Sequence, residues 1–208
     1  MPDESAAPVQ RRRSGGGGGG GRRLFRFFGE ILQASGVGER MLQRWIDAGI
    51  IRPIGHGHSG RGNYRMFDAR EIVLAVLLRP LADAGIPLGR LLQISRILRH
   101  AMRQRPPRRE PEDNPQFRIV RALNFRYQEL GQAIRQATAG AGINFAILAV
   151  AGDNVHPGAL SAETGELPTF NPAAFLVEAA EYAAMTGEPP SPTTLMMLDL
   201  APLRGLLD

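Results

Sequence analysis

Arg40, Gln43 and Arg44 stand in a short amphipathic stretch, residues 39–48, at spacings that put them on one side of a helix. Arginine pairs bidentately with guanine and glutamine with adenine, and both also reach phosphate oxygens. Glu39 and Asp47 share that outward side, while Met41, Leu42, Ile46 and the body of Trp45 form the inward one. A helix entering a major groove about 12 Å wide needs this division of faces. Taken alone, the pattern describes equally well an ordinary amphipathic helix with a solvated arginine face. Arg61 lies in, and Tyr64 and Arg65 follow, a glycine-rich stretch that lets a loop approach DNA closely. They are read as phosphate contacts that position a domain without reading sequence. A mobile loop with its arginines in water is the plainer alternative, and Arg65 has a structural one in an ion pair with Asp68. The expected DNA-contacting set is Arg40, Gln43, Arg44, Trp45, Arg61, Tyr64 and Arg65.

Other chemistry is poorly supported. His56 and His58 sit two apart on the glycine-rich stretch, but two ligands do not make a zinc site. The glycine run 15–21 follows no strand and lacks the Lys-Ser/Thr of a phosphate loop. Asp153, His156, Glu178 and Asp199 are scattered, without a nucleophile motif, and His156 before Pro157 reads as a loop residue. The chain lacks cysteine, which excludes thiolate metal sites, iron–sulfur clusters, disulfides and a thiol nucleophile. No enzyme, cofactor or metal is expected.

The elements that must position these residues can be read in turn. Residues 1–23 form a disordered basic tail, because a glycine run loses too much entropy on ordering. A helix is expected over 24–35, with Phe25, Phe27, Phe28, Ile31 and Leu32 on its apolar face. A turn at Gly36 leads to the second helix, 39–48, which Gly49 ends. Two helices joined by so short a turn outline a helix-turn-helix. Residues 50–54 and 64–67 read as two strands around the glycine-rich loop, a β-hairpin wing. Asp68 and Glu71 make a capping box for a helix that Pro80 should kink or end early. Pro87 opens another helix carrying Leu88, Leu91, Leu92, Ile94, Ile97 and Leu98.

Residues 105–115, rich in proline and charge, are read as a stiff linker and domain boundary. Over 116–139, Val120, Leu123, Tyr127, Leu130, Ile134 and Ala137 recur at spacings of 3 and 4, a short heptad seam suited to dimerisation but interrupted by Gly131. Residues 140–208 form a small α/β unit. Its parts are a buried strand at 143–150, a helix from Pro172 to about residue 185 capped by Asn171, a strand at 194–200 and a last helical turn. The fold class is thus mainly α: an N-terminal winged helix-turn-helix, a helix, and a small C-terminal α/β unit.

Charge divides the chain the same way. All 25 basic residues are arginine. Up to Arg109 there are 20 arginines against 8 acids, a balance of +12; beyond it, 5 against 12, a balance of −7. A polyanion-binding half joined to an acidic half suggests nucleic acid on one side. The longest apolar run is about half of what a membrane helix needs, and the first 23 residues hold no signal-like apolar stretch. A cytoplasmic, nucleoid-associated location with no membrane contact is expected.

Residues 24–104 resemble the DNA-binding domain of the MerR family of transcription regulators. The resemblance rests on residues 34–37 at the turn, 42–53 through the second helix, and Asn63-Tyr64-Arg65-Met66-Phe67 after the wing. The Asp68 helix and Gly85-Ile86-Pro87-Leu88 match the family's next two helices. Gln43, Trp45 and Ile46 replace an arginine, a tyrosine and a glutamate usual in the family, and Arg44-Trp45 looks like its excisionase-like branch. The resemblance implies a regulator that binds double-stranded DNA, as a homodimer, with RNA polymerase or an unknown effector as further partner. An excisionase-like or architectural factor, and an effector- or partner-binding module anchored to DNA, are the alternatives.

Overall fold

A computed structural model of the chain describes residues 25–54, 65–104, 118–151, 154–162, 171–185 and 193–206. The tail 1–23, the loop bearing His56, His58 and Arg61, the linker 105–115 and Asp153 lie outside them, as does Tyr64. The described chain is mixed, with six α-helices and two small antiparallel sheets. None of those helices is long and apolar enough to cross a membrane.

The first element corrects the expected helix over 24–35. Phe25–Phe27 is a strand, β1, and only Phe28–Ser35 is helical, α1. Apolar residues at 25, 27, 28, 31 and 32 fit a strand followed by a helix as well as one helix. The strand wins because a partner, Met66–Asp68 (β3), aligns Arg26 with Phe67. β3 also takes Pro53–Ile54 (β2) on its other side, giving the order β1-β3-β2. Phe67 in the middle strand is buried.

The turn after α1 reverses at Gly36 (φ 62°), whose left-handed backbone suits glycine. The guanidinium of Arg79 occupies the space a side chain there would fill, and its Nη1 donates to the Ser35 carbonyl at 3.0 Å. Helix α2 spans Glu39–Asp47. It ends in a Schellman arrangement: Gly49 N–H donates to Ile46 O at 3.0 Å and Ile50 N–H to Trp45 O at 2.8 Å. Trp45, Ile50 and Ile51 are all buried, so the exit of the helix is anchored in the core.

Helix α3 (Ala69–Asp83) begins where expected, with Asp68 accepting from Arg70 N–H at 2.9 Å. The capping box does not form, because Glu71 turns inward. Pro80 neither ends nor shortens the helix, which continues to Asp83. An interior proline costs about 3 kcal/mol. Burial of an aliphatic side chain returns about 1.5–3 kcal/mol, and Leu77, Leu78 and Leu81 are buried on either side of it. Helix α4 (Leu88–Arg103) follows from Pro87.

Helix α5 (Arg118–Thr138) falls within the expected 116–139, but the described part of its seam, from Tyr127 on, is used inside the chain. Leu130, Ile134 and Ala137 belong to the same core cluster as Leu98 and Ala101 of α4 and Leu198, Leu200 and Leu203 near the C-terminus. The elements on either side of 105–115 therefore share one core. Gly131, expected to weaken α5, is what lets it cross α4 closely: a Cβ there would land on the Ala101 carbonyl.

The second sheet runs β5-β4-β6, from Ile143–Ala151 (β4), Asn154–Ala162 (β5) and Thr193–Asp199 (β6), all antiparallel. Alternation along β4 explains its unbroken apolar run. Ala146 and Leu148 join the main core, while Ile147 and Ala149 join Phe175 of α6 (Pro172–Met185). The strand β5 was not foreseen, since His156-Pro157-Gly158 reads as a loop. At a sheet edge, however, proline is tolerated, and Gly158 makes room for the Phe175 ring, which would stand 2.7 Å from a Cβ at that position. The last helical turn is a 3-10 turn at Ala201–Leu203.

Candidate nucleic-acid interface

Helix α2 packs through Leu42 and Trp45, which are 0% and 1% exposed. They are three positions apart, so they stack on one narrow stripe. Arg40, Arg44, Glu39 and Asp47 are exposed around the remaining circumference. Two expectations are corrected. Trp45 is wholly inside and has no surface for DNA. Met41, expected inward, is 38% exposed, because successive residues are about 100° apart and 41 falls off the stripe set by 42 and 45.

Arg65, just before β3, reaches across to α2. Its Nη1 donates to Gln43 Oε1 at 3.0 Å, and Gln43 Nε2 donates to Asp47 Oδ1 at 2.7 Å. This Arg65–Gln43–Asp47 chain replaces the ion pair considered between Arg65 and Asp68. It occupies the Gln43 amide at both ends. Gln43 therefore acts here as a strut between hairpin and helix, with Arg40 and Arg44 flanking it on α2. Arg40, Gln43, Arg44 and Arg65 are thus brought together, Trp45 is withdrawn, and Arg61 and Tyr64 lie outside the described residues.

What fixes α2 against the hairpin is a buried ion pair that sequence reasoning missed. Arg99 of α4 grips Glu71 of α3 in a bidentate pair, Nε to Oε1 and Nη2 to Oε2, each at 2.9 Å. Arg99 Nη2 also donates to the Ile50 carbonyl at 2.6 Å, and Glu71 Oε2 accepts from Arg52 N–H at 2.9 Å. Both side chains are about 5% exposed. Three segments thus meet at one charged contact: α3, α4 and the connection 50–52 between α2 and β2. The sequence signal was a lone Glu in the run 71–75 that is otherwise apolar, and an arginine one residue from Leu98.

A second gathering of cations surrounds that pair. Arg52 is exposed, with Nε donating to the Gly49 carbonyl at 3.1 Å. Its pKa is lowered, first by partial burial and then by Arg99, Arg96 and Arg103, with Glu71 opposing. Arg96 and Arg103 are exposed and seven residues apart, two turns along one side of α4. That spacing was legible; the approach of Arg52 to them was not.

Of the acidic and histidine residues considered for catalysis, Asp153 and the side chain of Glu178 lie outside the described residues, while His156 is on β5 and Asp199 on β6, the two outer strands of the second sheet. His156 lies in β5, 5% exposed, and burial lowers its pKa. Asp199 Oδ1 accepts from Ala201 N–H at 2.9 Å, closing a turn. Among the described residues no three His, Cys, Asp or Glu side chains gather as metal ligands would. Compared with known proteins, the chain matches no family model and no curated protein.

Proposed function

We propose that the chain is a DNA-binding transcription regulator of the MerR-like type. Here α1 and α2 form the helix-turn-helix, α2 is the recognition helix, and β2 and β3 are the arms of the wing. Arg40 and Arg44 contact base edges or phosphates in a major groove, and Arg65 contacts the backbone beside it. The chain acts as a homodimer, since one small module rarely supplies enough affinity and half-site discrimination. RNA polymerase or an effector is the further partner, and the location is the cytoplasmic nucleoid.

One observation carries this reading: the Arg65–Gln43–Asp47 chain, which joins the hairpin to the outer side of α2 between Arg40 and Arg44. It makes one cationic surface from two elements that are far apart in sequence. The charge balance of +12 up to Arg109 supports the same partner, and Arg52, Arg96 and Arg103 form a second cationic group near the Glu71–Arg99 pair. Selection of bound duplexes from a random pool tests it. A palindromic consensus is expected; a bound pool with no consensus would favour an architectural factor, and no enrichment would remove DNA as the partner.

A further inference from the structure

We propose that two copies of this chain join through the outer edge of β6, pairing antiparallel about Met196 to make one six-stranded sheet. The proposal takes only the expectation of two copies from the functional reading, and its test uses no DNA.

β6 is an edge strand among the described residues, paired to β4 on one side alone. The register there is unbroken over seven residues, from Ala151 opposite Thr193 to Phe145 opposite Asp199. Leu200 N–H donates to Asn144 O at 3.0 Å, one step beyond that ladder. Antiparallel pairs alternate between bonded and non-bonded positions. Pairs 146/198, 148/196 and 150/194 therefore carry the bonds to β4. Thr193, Leu195, Met197 and Asp199 then direct their backbone N–H and C=O groups to the outer edge.

That edge is self-complementary. A two-fold axis at Met196 sets Leu195 opposite the partner's Met197, and Thr193 opposite the partner's Asp199. All four outward-facing residues then meet outward-facing residues of the second copy, giving about eight backbone hydrogen bonds. The side chains agree. Leu195 packs with the Ile147–Phe175 cluster, and Met197, opposite Ile147 in the ladder, is 57% exposed. Pairing covers Met197 with the partner's Leu195, twice, by symmetry. The strand's one charge, Asp199, faces a threonine, so no like charges oppose each other. Edges that must stay single are usually blunted by lysine, proline or a bulge, and β6 has none of these. The alternative seam on α5 is filled by the chain's own core at Leu130, Ile134 and Ala137.

The chain has no cysteine, so a single introduced thiol reports the register directly. At the two-fold axis the Met196 residues form a non-bonded pair with Cα atoms about 4.5 Å apart, within disulfide range. Full-length Met196→Cys treated with diamide should run mainly as a covalent dimer of about twice 22.6 kDa. Val177→Cys, at a site 56% exposed on α6, should stay monomeric on the same gel. Light scattering should give twice the chain mass for the unaltered protein. Met197→Lys, at an exposed site that leaves the fold intact, should raise the dimer dissociation constant at least about 10-fold. The proposal is overturned by a monomeric parent protein at tens of micromolar. It is equally overturned by cross-linking no stronger at 196 than at 177, or by a Met197→Lys dimer as tight as the parent.

Discussion

Replacing Arg99 by methionine would leave the Glu71 carboxylate buried without its cation, and breaking such a pair on one side costs about 3–5 kcal/mol. We expect Arg99→Met to lower the unfolding free energy from urea titration by about that amount and the double variant Arg99→Met/Glu71→Gln to recover part of it; additive losses would contradict the coupling. His156 gives a pH signature. Burial lowers its pKa below the ordinary 6.5, so the folded state resists a proton that the unfolded chain accepts. Stability from this group is therefore full above about pH 6.5 and lost as pH falls through the range between unfolded and folded values. Thermal melts should show this decline at mildly acidic pH and a flatter profile for His156→Gln. On the α2 surface, Arg44→Ala should weaken duplex binding by about 1–3 kcal/mol, roughly 5- to 150-fold. Gln43→Ala should weaken it indirectly by releasing Arg65. Fluorescence anisotropy measures both, and wild-type affinity in either variant counts against the assigned surface.

At the scale of elements, helices with an end signal and one apolar stripe were legible. Gly49 after residues 39–48, Asp68 before α3, Pro87 before α4 and Asn171 before α6 all mark real boundaries. What the sequence concealed depended on partners far along the chain. β1 is three residues long and exists because β3 is there to pair with it. β5 carries Pro157 and Gly158, loop residues by local preference, which an edge position and the Phe175 ring make acceptable. Pro80 passes through α3 because burial outweighs its local cost. Of the expected contact set, Arg40, Gln43, Arg44 and Arg65 are gathered, but the binding of Gln43 to Arg65 needs a contact across 22 residues that no local pattern encodes. Gly131 shows the same limit: read as a weakness, it is a close crossing. We expect Gly131→Ala to destabilise the protein by about 1–3 kcal/mol, the usual cost of overpacking. In an isolated helix the same change would stabilise. A rise in the denaturation midpoint would show that α4 and α5 do not meet there.

The whole molecule combines a basic first half and an acidic second half around one continuous hydrophobic cluster. Because residues from α2, β3, α3, α4, α5 and the second sheet share that cluster, α2 and β3 are held by the rest of the chain rather than carried on a separate module. The arginines of α2 and the hairpin then act as a fixed array, and duplex binding should release counterions from several phosphates at once. The most direct test is the salt dependence of duplex affinity for the full chain and for Arg44→Ala plus Arg65→Ala. Log affinity should fall linearly with log salt, by about 0.9 for each phosphate neutralised, and the double variant should lose about two of those contacts. A flat salt response, or the same slope in both proteins, would contradict a duplex seated on α2 and the hairpin.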